Sequence, residues 1–148
     1  MKAISLWQPW ASLWACGRKK YETRHWATNY RGPIAVHAAK KLCTDIDDEL
    51  RAILDDEFGG HWALELPRGA LIATANLVRC LRTSDLLGLL STEELAQGNF
   101  STGRFGWGVD DMRQLPQPIP FIGHQGIFNV PDELFGLLPT TAPQGLLL

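Results

Sequence analysis

The sequence predicts an α+β fold, a small mixed β-barrel of about six strands with helices packed at its sides and ends. Three observations predict it. Short apolar runs of strand length recur along the chain. Three helical insertions interrupt them without the regular alternation of a βαβ protein. At 148 residues and 45% hydrophobic content, the chain is long enough for one domain with a sizeable core and short for two.

The elements follow in order. Ala3 to Trp7 is short and apolar, a first strand delivering into a helix whose first turn carries Pro9. Pro9 to Cys16 reads as that helix, with Trp10, Leu13 and Trp14 as its inward stripe and Gly17 as a left-handed cap. Tyr21 to Trp26 reads as a second strand, with Glu22 and Arg24 on one face and Tyr21 and Thr23 on the other. Asn29 to Arg31 is a connecting loop. Ile34 to Ala38, opened by Gly32-Pro33, is apolar enough to be a central strand. Thr44 and Asp47 stand in capping-box register before Ile46, Leu50, Ile53, Leu54 and Phe58, the clearest amphipathic helix, which stops at Gly59-Gly60. Gly69 to Leu81 reads as a buried strand. Helix starts follow at Ser84-Asp85 and at Ser91, the latter with Glu94 in capping-box register. Gly103 to Val109 and Gly126 to Val130 read as the last strands, joined by an extended loop over Leu115 to Phe121 with its three prolines. The domain is expected over residues 1–138, with 139–148 a mobile tail.

Charge and cysteine content exclude several classes. No apolar run approaches the roughly 20 residues that span a bilayer, and no signal sequence is evident, so a soluble, cytoplasmic protein without a membrane partner is expected. The three cysteines are widely spaced, with no CxxC pair and no Cys/His cluster, which argues for a reducing compartment and against a structural metal. The net charge of −2 is unlike that of a generic basic nucleic-acid binder, whose pI exceeds about 9. Any nucleic-acid site must therefore be local. Such an asymmetry exists: between Arg18 and Lys41 the cations include Lys19, Lys20, Arg24, Arg31 and Lys40 against the single carboxylate Glu22, whereas Asp45 to Asp56 is acidic. Within that second stretch Asp45, Asp47, Asp48 and Glu49 suit a first helical turn and its macrodipole better than a metal.

The stretch from Gly17 to Arg24 concentrates the candidate chemistry. Lys19, Lys20, Glu22 and Arg24 converge just past a helix end, a pocket suited to an anionic ligand. Lys19, Lys20 and Arg24 can meet phosphates, and Trp7, Trp26 and Tyr30 offer flat surfaces for an unstacked base. Gln8, Arg31 and Lys40 flank this region. Ser101 and Arg104, around Gly103, form a loop that can also bind phosphate. Glu22 has two readings, a salt-bridge partner that holds Lys19 and Arg24 in place, or a general base with Lys19 stabilising developing negative charge. The two make opposing demands on one carboxylate. His37, on an apolar strand, reads first as a satisfied core residue.

These residues resemble the ASCH domain family, a group with the PUA-like fold. The match comprises Ser5-Leu-Trp-Gln8-Pro9-Trp-Ala-Ser12-Leu, then Gly17-x-Lys19-x-x-Glu22-x-Arg24, then Tyr30-Arg-Gly32-Pro33-Ile-Ala-Val-His37-Ala-Ala-Lys40. Gly103-Arg-Phe-Gly-Trp107 through Gln125-Gly126-Ile-Phe is also similar. The resemblance implies a small β-barrel closed by helices, with a cleft lined by the signature residues that recognises single-stranded or modified RNA. One subgroup is similar to amidohydrolases of acylated cytidine, and another is associated with RNA cleavage. The alternative is therefore a hydrolase, a ribonuclease or an N4-acetylcytidine amidohydrolase-like enzyme, with Lys19, Glu22 and Arg24 as catalytic residues. The hydrolase subgroup has a threonine nucleophile at the place of Glu22, a departure that disfavours that chemistry here. A later glutamate of that subgroup corresponds to Glu93 or Glu94. Larger family members suggest a third role, in transcriptional regulation. No cofactor is implied, although a nuclease activity would call for a divalent metal.

Overall fold

The computed structural model describes residues 1–136; the predicted tail lies outside the described residues. The strands are β1 (Lys2–Gln8), β2 (Tyr21–Arg24), β3 (Gly32–Leu42), β4 (Ala70–Arg82), β5 (Phe105–Pro120) and β6 (Ile127–Asn129). The helices are α1 (Trp10–Ala15), α2 (Asp48–Phe58), α3 (Trp62–Glu65), α4 (Thr83–Leu86) and α5 (Thr92–Ala96), with 3₁₀ turns at Leu87–Leu89 and Asp132–Phe135.

One six-stranded sheet runs in the order β2-β5-β4-β3-β1-β6. β1 and β3 are parallel, pairing Ile4 with Val36, while every other ladder is antiparallel. This is the expected mixed α+β sheet with helices at its sides and ends. Among the described residues its two outer strands, β2 and β6, share no ladder, so the sheet is not closed by hydrogen bonds there.

Burial explains the pattern. Ile34 to Ala38 of β3 is buried at every position because strands flank it and the core covers both faces. Ile4, Leu6, Val36, Leu77, Trp14 and Trp107 form the main core, and α1 packs into it through Ala11, Trp14 and Ala15. Trp10 and Leu13 turn instead toward α2 and Trp62. The stripe predicted on α1 is thus divided between two clusters.

Several boundaries differ from the sequence reading, and β2 ends at Arg24 rather than Trp26. β3 continues to Leu42, which places Lys40 and Lys41 on a strand end. The cap of α2 is Asp47, whose carboxylate accepts the N–H of Leu50 at 2.8 Å, three residues beyond Thr44. Helix α4 starts at Thr83, not Ser84, and the buried Thr83 hydroxyl donates to the carbonyls of Ser101 and Arg104. The proline segment is no loop: β5 runs through it to Pro120, which pairs with Ala70. β2 covers the other edge of β5 only as far as Gly108. Beyond that point β5 is an edge strand, where a missing N–H costs no ladder bond.

Candidate functional site

The signature turn begins where α1 ends. Gly17 takes φ +82°, a left-handed conformation that side chains resist, and its N–H donates to the Trp14 carbonyl at 3.1 Å. Lys19 then donates its N–H to the Leu13 carbonyl at 3.0 Å, turning the chain into β2, where Glu22 lies opposite Trp107. The turn is fastened from a distant segment. Glu94, capped into α5 by Ser91, is buried, and its carboxylate accepts the N–H of Lys20 at 2.8 and 3.0 Å and that of Tyr21 at 3.0 Å. Arg18 joins Glu93, Asp56 and Glu57 on the outer surface. Its guanidinium holds the Glu93 carboxyl below the usual carboxylate range.

At the centre stands an ionic triad. Lys19 has a side chain only 1% exposed, and its Nζ lies 3.1 Å from Glu22 Oε1 while also donating to the Tyr21 carbonyl. Arg24 Nε sits 3.1 Å from Glu22 Oε2, close enough for an ion pair though not aligned as a hydrogen bond. Arg24 Nη2 donates to the Ser5 carbonyl at 2.6 Å, tying the triad to β1. Both Glu22 oxygens are therefore engaged by cations. The triad lines a cavity of about 550 Å³ bounded by β1, β2, the start of α2 and the segment after α5. Lys19, Arg24 and Arg104 are balanced there by Glu22, Asp45 and Asp47. The expected basic cleft is thus a charge-balanced one at its centre.

The other predicted residues are dispersed. Trp7 is half exposed at the rim, with Lys41 Nζ 4.2 Å above its ring. Arg104 lines the same cavity, donating to the Asn99 and Thr23 carbonyls. Gln8 does not reach it: fully buried, it spends its amide on Ser12 and the Pro67 carbonyl. Lys20 points away, its ammonium on the Gly17 carbonyl. Tyr30 packs against the core and donates to the Pro33 carbonyl, and Arg31 folds onto the carbonyls of Thr28 and Tyr30. Ser101 bonds Asn99 outside the lining. Trp26, edge-on to Trp107 at 4.7 Å, and Lys40 line a second, adjoining cavity. Thr23, Asn99 and Asp47 also line the first cavity, although the sequence pattern does not direct them there. Nothing local marks Asn99, and strand alternation predicts Thr23 on the opposite face. Among the described residues no group of three or more His, Cys, Asp or Glu is placed to hold a metal ion, and no helix is long and apolar enough to cross a membrane.

His37 is 2% exposed, with Nε2 at 2.7 Å from the Phe121 carbonyl and Nδ1 at 2.8 Å from Ser5 Oγ. Because a carbonyl only accepts, Nε2 carries the proton and Nδ1 accepts from the serine. Burial lowers the pKa of His37 from its ordinary 6.5, opposed by the Phe121 bond. The unfolded chain therefore takes up a proton first as pH falls, and stability should decline below about pH 6.5. Thermal melts from pH 7.5 to 5 are expected to show this decline, and His37→Gln should flatten it. An equal slope in that variant would assign the decline to other groups.

Comparison with known proteins bears on the fold and the family. Crystal structures of ASCH from Zymomonas mobilis superpose on the chain. The unsubstituted protein gives a TM-score of 0.53 at 16% identity, covering 90% of this chain and 89% of that one. A point mutant of the same protein gives 0.54 at 15%, covering 90% and 91%. These likenesses show the fold. In sequence, 85 residues are 36% identical to human Activating signal cointegrator 1, a stretch that covers 53% of this chain and 14% of that protein. The ASCH domain matches residues 4–117, a span that contains most of β1, the triad, Glu94 and most of β5. With the signature residues gathered in one cavity and the sheet order in place, the chain belongs to the ASCH domain family, which is generally RNA-binding.

Proposed function

We propose that the protein binds single-stranded or modified RNA, taking an unpaired nucleobase into the cavity beside the Lys19–Glu22–Arg24 triad. The observation that carries this reading is the half-exposed Trp7 at the rim of that cavity. A large aromatic ring left at the surface, with the exposed Lys41 ammonium over its face, is a ready stacking platform. A volume of about 550 Å³ lies within the range of roughly 300–1,000 Å³ typical of small-ligand sites. Inside, Thr23 and Asn99 offer hydrogen bonds of the kind that read a base edge.

The double engagement of Glu22 favours binding over hydrolysis. A general base needs a free lone pair directed at its proton, and here each oxygen faces a cation. Loss of one stacked base costs about 1–3 kcal/mol, so Trp7→Ala should weaken binding of a labelled single-stranded RNA by about 5- to 150-fold in fluorescence anisotropy. Equal affinity of the variant and the parent would remove the cavity from RNA recognition. The same preparation, incubated with labelled RNA and with N4-acylcytidine with and without divalent metal, should return both unchanged. Turnover that Glu22→Gln abolishes would replace the binding module by a hydrolase.

A further inference from the structure

The adjoining cavity, about 730 Å³, shares Ser5, Trp7, Arg24 and His25 with the first and extends toward the loop 121–126. Its charge is of a different kind. Arg24, Lys40, His25 and His124 line it, and among the described residues no carboxylate does. In a chain of net charge −2, a cavity lined by Lys40, unpaired among the described residues, and by Arg24, whose carboxylate partner Glu22 faces the other cavity, with further imidazole N–H donors and no lining carboxylate, is an exception.

The first cavity shows the opposite arrangement, with each of its fixed cations matched by a carboxylate. An anionic group placed there would meet Glu22, Asp45 and Asp47, whereas a neutral base would not be repelled. Arg24 stands between the two spaces. Its Nε faces Glu22 and its Nη2 is taken by the Ser5 carbonyl, so Nη1 is the edge without a partner among the described residues. Lys40 is exposed and its ammonium makes no ion pair among the described residues; its stem lies over Gly69, where an added Cβ would come within 3.2 Å of it. On the other side Gly123 lies against the His37 ring, where a Cβ would approach within 2.6 Å. That close approach draws the 121–126 loop in and sets His124 at the cavity wall, its ring 5.4 Å from Phe128. Along this loop the N–H groups of Ile122 to Gln125 have no backbone acceptor among the described residues.

We infer that this second cavity is a phosphate subsite, which holds the phosphodiester next to the nucleotide whose base enters the first cavity. The inference rests on the RNA-binding reading and deepens it. The unit recognised is a base together with its adjacent phosphate, divided at Trp7 and Arg24, and a free nucleoside satisfies only half of the site.

The test uses the full chain and a short fluorescent single-stranded RNA, titrated across a salt series. Lys40→Gln with His124→Gln should weaken binding at least 5-fold and flatten the salt dependence by about 0.7 in the log–log slope, the value for one phosphate contact on a single strand. Both substitutions are of exposed side chains, and a thermal melt confirms that the variant is folded. On the parent protein, a probe with one neutral methylphosphonate linkage beside the preferred base should lose affinity to a similar degree. If parent RNA binding is strong but neither change moves affinity or slope, the phosphate subsite is overturned and the RNA-binding reading stands. If the parent binds no RNA probe, the RNA-binding reading falls and the subsite with it. Inorganic phosphate alone, competing as strongly as the oligonucleotide, would also overturn the division, since it would show an anion site independent of RNA.

Discussion

Glu22→Ala is expected to destabilise the protein by about 3–5 kcal/mol, the usual effect of removing one partner from a buried ion pair. The cause is what the substitution leaves behind. Lys19 is 1% exposed, so among the described residues its ammonium would keep only the Tyr21 carbonyl as a hydrogen-bond partner. Arg24 would lose its ion pair as well, although that group is 24% exposed and can rehydrate. The effect should therefore be asymmetric: Lys19→Met, which removes the most deeply buried charge and leaves Glu22 paired with Arg24, should cost distinctly less. Glu22→Gln keeps an oxygen for Lys19 and should fall between the two. Urea unfolding reads this directly, because a loss of this size moves the midpoint by more than about 1 M at ordinary m values. A cost below about 1 kcal/mol for Glu22→Ala would show that the triad is not a structural anchor, and a greater cost for Lys19→Met would overturn the asymmetry. The comparison also bears on function, since Glu22→Gln leaves the cation positions nearly intact and isolates the carboxylate's part in ligand recognition.

Local chemistry made the centre of this site legible in the sequence. Gly17 announced a left-handed helix end, and strand alternation put Glu22 and Arg24 on one face, so convergence with Lys19 followed from spacing alone. The same alternation misplaced Thr23. β2 is a four-residue outer strand with both central positions covered, and its two-face rule fails because the cavity wraps around its end. The prolines of β5 misled in a comparable way. They forbid a ladder bond on one edge, and the sequence does not reveal that β2 stops at Gly108 and leaves that edge open. Gln8, Lys20 and Arg31 fitted a basic, polar rim by composition, yet each satisfies nearby backbone or buried groups. Type and proximity in sequence do not tell whether a side chain's hydrogen bonds are already taken.

Glu94 is the residue whose importance lay furthest from its local signal. Its capping-box register predicts a side chain folded back on its own helix, and Ser91 does accept the Glu94 N–H at 3.0 Å. The carboxylate instead crosses to a segment 74 residues earlier, where it is the acceptor for two backbone N–H groups. Glu94→Ala is accordingly expected to cost about 2–3 kcal/mol, because it leaves two partly buried donors without a partner. Glu94→Gln should recover about 1 kcal/mol at most, since its amide presents N–H to N–H where the second oxygen stood. Hydrogen exchange at Lys20 and Tyr21 should accelerate in both variants while the amides of β3 stay protected. Glu94 does not line the cavity, yet the turn it fastens carries Lys19, whose ammonium must arrive beside Glu22 within ion-pair distance. RNA affinity should therefore fall in Glu94→Ala, measured where the variant remains folded. Exchange and affinity that are both unchanged would mean that the Gly17 turn holds its shape without this clamp.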